Sequence, residues 1–187
     1  MANAGITKSA IAAAMKQLMQ ATPFDRITTA DILQAGSISR KTFYYHFRDK
    51  YDVVNWIFET EIVGGIMECT SLDSWHEASY RMCRYFRDNC AFFKNAVNAK
   101  GQNCFIQFLH VMVVGQMERL CRSAREEGKL DDADFRFLVE FYYNAFIGVF
   151  IPWVKDDMSE DPDNLVRRWI GVTEKSLEQY IQSRQSK

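Results

Sequence analysis

Proline is scarce here, with 3 residues in 187, and glycine numbers 9. Both residues punctuate regular structure. Their rarity, with long stretches free of turn signals, favours an all-helical protein. The 5 cysteines (Cys69, Cys83, Cys90, Cys104, Cys121) are odd in number and lack CxxC spacing, and the 3 histidines are scattered. That argues against a zinc site or a disulfide framework. Free thiols buried along helices in a reducing cytoplasm are expected instead, with no metal and no cofactor. Uninterrupted apolar runs are also missing. Arg136, Glu140 and Asn144 break the most apolar stretch, so no membrane span is expected. The alanine-rich N-terminus has no basic leader followed by a sustained apolar run, so it is not expected to be a signal peptide. Finally, no Ser/His/Asp arrangement, glycine-rich phosphate loop, metal tetrad or paired acids at helical spacing stands out, so an enzyme is not expected. Glu126-Glu127 and Asp131-Asp132 read as solvated helix ends.

The composition that remains is that of a folded protein, 48% hydrophobic and 14% aromatic, and the length allows a sizeable core without staples. The net charge of −1 argues against general polyanion binding. Its distribution is uneven. Residues 1–55 hold seven Lys/Arg against four Asp/Glu, leaving sixteen against twenty beyond position 55. A small basic head on an acidic body suits nucleic-acid binding by one end, although chance asymmetry would look the same.

Hydrophobic periodicity predicts about nine helices. The first covers Thr7 to about Gln20, on Ile11, Ala14 and Leu18, with Ala10 and Met15 widening the stripe. Pro23 ends it and frees Phe24 to plug a small helical head. The second is capped by Thr28, with Asp31 completing a capping box and Ile27 and Ile32 at the staple positions; it runs to about Gln34 or Ala35, where Gly36 supplies permissive backbone angles. The third starts after Ser39, with Ile38 and Phe43 as a second staple. A fourth, capped by Asp49, runs from Lys50 towards Cys69 and is followed by a loop at Thr70–Asp73. Ser74–Asn89, Ala91–Lys100 stopped at Gly101, and Asn103–Glu127 closed by Gly128 come next. The eighth, about Asp132–Asp156, needs cover on almost every side, and Pro152 should kink or end it. The ninth begins at Asp161-Pro162, with Leu165, Trp169, Val172, Leu177 and Tyr180–Ile181 on its buried face. Together the last two suggest a homodimer interface, such as a four-helix bundle from two copies; a central core helix of a monomer is the alternative.

The second and third helices read as a helix-turn-helix, two caps and two staples within a short span. Such a motif presents the N-terminal turn of its second helix to base edges. Ser39, Arg40, Lys41 and Thr42 occupy that turn. Arg40 or Lys41 could donate to guanine, and Thr42 could offer a methyl to thymine or a hydroxyl to phosphate. Tyr44 and Tyr45 flank a core-facing Phe43. His46 could touch the DNA backbone, close the helix end, or act catalytically, the last without a visible partner. Thr28 and Thr29 form a second candidate phosphate clamp, and Lys50 is positioned for a phosphate at the fourth helix.

The run ITTADILQAGSISRKTFYYHFRDKYDVVNWIF resembles the N-terminal domain of the TetR family of bacterial regulators. The family's Y-x-H-F and following lysine stand here as Tyr44-Tyr45-His46-Phe47 and Lys50. The resemblance implies phosphate contacts from Tyr44 and Lys50 and a DNA-facing Thr42. Two departures are Ser37 where the interhelical glycine usually lies, with Gly36 just before it, and Lys41 where a small residue is common. TFYYHFRDKYDVVNWIF, with the C-terminal FYYNAFIGVFIPWV and MSEDPDNLV, is similar to the branch that includes regulators of dihydroxyacetone kinase operons, some of them activators working with a partner protein.

The expected architecture is a DNA-binding head of residues 1–50 on a regulatory and dimerisation body of residues 51–187. The expected function is sequence-specific binding of double-stranded, palindromic operator DNA by a cytoplasmic homodimeric repressor answering to a small-molecule effector. An activator or a regulator controlled by a partner protein is the alternative, and a helical interaction module without DNA binding is the rival of another class. Candidate effector contacts are Trp75, Tyr80, Phe86, Gln107, His110 and Asn144, with Met82, Phe108 and Met112 as apolar walls. Each has an ordinary packing role as its alternative.

Overall fold

A computed structural model describes residues 2–63, 72–101 and 104–185. Among them are nine α-helices and no strand. They are α1 (Ala2–Ala21), α2 (Thr29–Ala35), α3 (Arg40–His46), α4 (Lys50–Phe58, continued by a π turn over Glu59–Val63), α5 (Leu72–Asp88), α6 (Cys90–Asn98), α7 (Phe105–Glu126), α8 (Asp132–Lys155) and α9 (Pro162–Gln185). The chain packs as two compact units, Met1–Val63 with Asn89–Phe108, and Gly64–Asp88 with Leu109–Lys187. The first therefore takes in a segment remote in sequence from the predicted head of residues 1–50.

Helix boundaries follow local chemistry. α1 starts at Ala2, five residues before Thr7, although Asn3 and Gly5 there are poor helix formers. Its buried face is Ile11, Ala12, Ala14, Met15 and Met19; Ala10 is exposed and Leu18 half-buried, unlike the predicted stripe. Of the loop predicted at Thr70–Asp73, Leu72 and Asp73 belong to α5, and the rest lies outside the described residues, as do the predicted run of α4 beyond Val63 and the predicted start of α7 at Asn103. α6 ends at Asn98, ahead of the predicted stop, because Ala99 is extended. Gly101 lies in the left-handed region at φ 123. After α7, Gly128 turns left-handed (φ 72), and the N–H of Lys129 bonds the Ala124 carbonyl at 2.9 Å. Pro152 does not end α8, which runs on to Lys155; the proline removes one N–H near the helix end, and the bond from Asp156 N–H to the Pro152 carbonyl closes the final turn. Asp161 caps α9 through the N–H groups of Asp163 and Asn164.

In the first unit, α1 packs on α2, α3, α4 and α6 around Phe24, Phe43, Ile32 and Met15, all at most 2% exposed. An aromatic cluster joins α4 to α6 and the start of α7: Phe58 meets Phe93, Phe105 and Phe108 edge-on at 6.2, 5.2 and 6.0 Å between centroids. In the second unit, α5 is tied to α9 by a bidentate Arg84–Asp163 pair (2.8 and 2.7 Å) and by Arg87–Asp161. α8 is the helix among the described residues that is long and apolar enough to cross a bilayer. Nine of its side chains are buried within the chain, as in a core helix. Its remaining strip is exposed and mixed: Phe137 (57%), Phe141 (51%) and Val149 (37%) stand beside Arg136, Glu140, Asn144, Gly148 and Pro152. Val172 of α9, predicted to be buried, is 71% exposed, because the buried arc of that helix centres on Leu165, Val166, Trp169 and Leu177. Cys83 and Cys121 are buried, which raises both thiol pKa values, Cys121 to about 11; Cys90 and Cys104 are only half-buried, and Cys69 lies outside the described residues.

Candidate nucleic-acid interface

The predicted capping box is present. The Thr28 hydroxyl accepts from Asp31 N–H (3.2 Å) and donates to the Asp31 carboxylate (2.7 Å), which also accepts the Thr28 N–H (2.8 Å). Those bonds hold Asp31 below the usual carboxylate range. They also spend the single hydroxyl proton of Thr28. Thr28 is thus a cap and has no proton to offer a phosphate, while Thr29 beside it is half-buried.

The turn that follows differs from the sequence reading. Gly36 keeps a right-handed backbone (φ −86, ψ −3), and Ser37 takes the left-handed one (φ 50). Gly36 supplies space instead. A Cβ there would lie 2.9 Å from Ile38 Cδ1 and 3.3 Å from the Ile32 carbonyl oxygen. Ser39 then caps α3 by accepting from Thr42 N–H, and the two hydroxyls share a bond at 2.7 Å. One proton serves that bond, so the pair retains one more for an outside acceptor.

The orientation of α3 is set by Phe43, 0% exposed, which anchors its inner side. At about 100° per residue, Arg40, Tyr44, Lys41 and Tyr45 then fall on one continuous outer arc. All four are exposed, Tyr44 at 50% and Tyr45 at 82%. None takes a hydrogen-bond or ion-pair partner among the described residues. Thr42 is half-buried, and so is His46, which meets Tyr45 edge-on at 4.9 Å and has no acid or nucleophile partner there. Two exposed cations and two phenols on a capped helix can donate to base edges and to phosphate oxygens.

Lys50 is not placed as predicted. Its ammonium donates to the carbonyls of Phe24 (2.8 Å), Ile27 (2.8 Å) and, at greater length, Asp25 (3.4 Å), and sits over the Phe24 ring at 4.4 Å. All three protons are committed, so a phosphate contact would require breaking these bonds. Burial lowers its pKa, with the Asp25 carboxylate partly opposing the shift. Lys50 instead ties the first turn of α4 to the α1–α2 connection. Asn95 on α6 grips the same connection and carried no sequence signal, being one of two amides in a helix that also carries Lys94. Lys8 over the Phe47 and Trp56 rings (5.3 and 5.5 Å) was equally silent.

Two of the candidate effector contacts are exposed. Gln107 falls in the first unit and is exposed, whereas the others fall in the second. There, Asn144 is exposed on α8 and donates to the Glu140 carbonyl of its own helix, so it is not turned inward. His110 is half-buried, edge-on to Tyr143 at 4.4 Å. Trp75, Phe86 and Met82 are buried, and half-buried Tyr80 lies beneath the Arg84 guanidinium. An open groove of about 530 Å³ in the second unit is lined by Glu118, Arg122, Arg125, Glu126 and Phe135, none of them predicted. Among the described residues no three His, Cys, Asp or Glu side chains cluster as metal ligands.

Comparison with known proteins bears on both units. A family model for the C-terminal region of transcriptional regulators matches residues 73–175, and one for bacterial regulatory proteins of the tetR family matches residues 10–56. The chain belongs to the TetR family. A curated relative of this TetR-family protein is the HTH-type dhaKLM operon transcriptional activator DhaS of Lactococcus lactis subsp. lactis (strain IL1403), 33% identical over 89 residues. That match spans about half of each protein, 48% in both cases. Among solved structures, the dihydroxyacetone kinase operon activator DhaS superposes with a TM-score of 0.67 at 22% identity, over 89% of this chain and 93% of that one. NalD, the secondary repressor of the MexAB-OprM multidrug efflux pump in Pseudomonas aeruginosa, gives 0.64 at 17%, over 90% and 94%. These likenesses place the fold, and the expected all-helical, non-enzymatic regulator is the family's own type.

Proposed function

We propose that this TetR-family chain is a sequence-specific DNA-binding transcriptional regulator acting in the cytoplasm as a homodimer on a palindromic operator. The observation that carries the reading is the outer arc of α3, where Arg40, Lys41, Tyr44 and Tyr45 stand exposed on a helix pinned by buried Phe43. Ser39, Thr42 and His46 border that arc. Thr28 and Thr29 support it from α2 and Lys50 from α4, the last two elements acting through position more than through direct contact. Two copies would pair through α8 and α9. Phe137 stacks with Phe141 (6.0 Å) and with Tyr180 of α9 (6.4 Å), leaving one exposed aromatic surface shared by both helices. A second copy would present the same surface, as a two-fold interface requires.

Control by a small molecule bound in the second unit remains the reading for repression. Activation with a partner protein is the second reading. It is favoured because the 33%-identical relative is named an activator of the dhaKLM operon. Selection of bound duplexes from a random library tests the DNA-binding proposal. Half-sites repeated in opposite orientation support a two-headed reader, while recovery of no preferred sequence at low salt refutes it. The position of the footprint relative to the promoter, with in vitro transcription, separates repressor from activator.

A further inference from the structure

The connection between α1 and α2 is gripped from two sides by side chains distant in sequence. From α4, Lys50 holds the carbonyls of Phe24 and Ile27. From α6, the Asn95 amide donates to the carbonyls of Met19 (3.1 Å) and Thr22 (2.6 Å), and its oxygen accepts the Phe24 N–H (2.6 Å). Both amide protons are used. They satisfy carbonyls that the last turn of any helix leaves without an intrahelical donor, so Asn95 caps α1 from another helix. Its oxygen meanwhile fixes the first residue of the short 3-10 turn over Phe24–Arg26. One residue after Ile27 stands Thr28, the cap of α2, and the helix-turn-helix follows without a flexible break. The far end of α6 is tied as well, because the Tyr51 hydroxyl donates to the Lys100 carbonyl at 2.6 Å.

We propose that Asn95 is a positioning residue for DNA recognition. It fixes the entry to α2, and through it the α2–α3 pair, to α6, so that α6 is a handle on the reading head beside α4. Asn95 touches no DNA in this scheme and lies outside the N-terminal family match of residues 10–56. Any shift of α6 pulls on Phe24 N–H and on the end of α1 together. Because the Phe24 ring is anchored in the core (2% exposed), the pull is carried into the head and is not absorbed by a loose loop.

The inference rests on the DNA-binding reading, and the test keeps the two apart. Full-length wild type, Asn95→Ala, Asn95→Asp and Val97→Ala are compared by fluorescence anisotropy on the duplex the wild type selects from a random library. All are measured well below their thermal midpoints. Asn95→Asp keeps the acceptor for Phe24 N–H and loses both donors. Val97→Ala, at a buried position of the same helix, removes packing and leaves the three bonds alone. Both Asn95 variants are expected to bind about tenfold more weakly while fully folded. Val97→Ala is expected to lose thermal stability yet bind within about twofold of wild type. Wild-type affinity in folded Asn95→Ala, or an equal loss in Val97→Ala, overturns the positioning role. So does an Asn95→Ala or Asn95→Asp protein with no folded baseline in the cold, since that would make Asn95 part of what folds the unit. Failure of the wild type to select any duplex overturns the DNA-binding reading itself.

Discussion

Replacing Lys50 by methionine separates a structural tie from a phosphate contact. Methionine preserves much of the aliphatic stem and removes the charge and its three donors. Two of the lost bonds are short, at 2.8 Å each, and the third is long at 3.4 Å. The ammonium is only partly shielded, so each short bond is valued at about 1 kcal/mol, below the range for buried charge-assisted bonds. The cation over the Phe24 ring adds about 0.5–1 kcal/mol. The sum, about 3 kcal/mol, corresponds to a fall in thermal midpoint of about 6–12 °C for a chain of this size. The assay pairs thermal unfolding with DNA affinity measured across a salt series. A lysine that neutralises a phosphate contributes about 0.9 to the slope of log K against log salt. Lys50→Met is expected to lower the midpoint and leave that slope unchanged. Arg40→Ala, on the exposed arc, is expected to do the reverse: stability within about 0.5 kcal/mol and affinity reduced by about 1–3 kcal/mol if the side chain is bidentate to guanine. A Lys50→Met protein with the wild-type midpoint and a slope shallower by about 0.9 would refute the reasoning.

Three further outcomes follow from the same geometry. Ser37→Gly is expected to stabilise the fold by about 0.5–1 kcal/mol in denaturant titration, because the left-handed backbone costs an L-residue about 1–2 kcal/mol and glycine's extra unfolded entropy offsets part of the gain; a loss of stability would give the Ser37 hydroxyl a role of its own. Phe141→Glu, placing a charge on the exposed α8 surface, is expected to yield monomers by sedimentation with the helical content intact, and a persistent dimer would move the interface elsewhere. Asp31 and Asp163 are held below the usual carboxylate range, Asp31 by the N–H and hydroxyl of Thr28 and Asp163 by the Arg84 guanidinium. Groups with depressed folded pKa values stabilise fully above the ordinary carboxylate pKa, so the thermal midpoint is expected to decline as pH falls below about 4; in an Asp31→Asn, Asp163→Asn double variant that decline is expected to be shallower.

The caps of α2, α3, α4 and α9 were legible in the sequence because each is written within three residues: Thr28 with Asp31, Ser39 with Thr42, Asp49 with Asp52, Asp161 with Asn164. The helix-turn-helix and its exposed Arg40–Tyr45 surface followed from the same local rules. The turn did not, since either Gly36 or Ser37 could carry the left-handed angle. The folded chain gives that angle to Ser37, while the close approach of Ile38 leaves no room for a side chain at Gly36. Two of the predicted effector contacts met a related limit. Helical spacing says which residues share a face but not which faces of different helices meet, and Asn144 and Gln107 both proved to be exposed.

By itself, then, the order of residues determined the all-helical character, the capped starts of α2, α3, α4 and α9 and the chemistry displayed by α3, because backbone capping and apolar periodicity act over one or two turns. Only tertiary structure decided that Lys50 faces carbonyls 23 to 26 residues away and that Asn95 holds groups 71 to 76 residues away. A lone lysine or amide carries no periodic signal, and its partner is whatever unsatisfied backbone group the packed chain brings within hydrogen-bond reach.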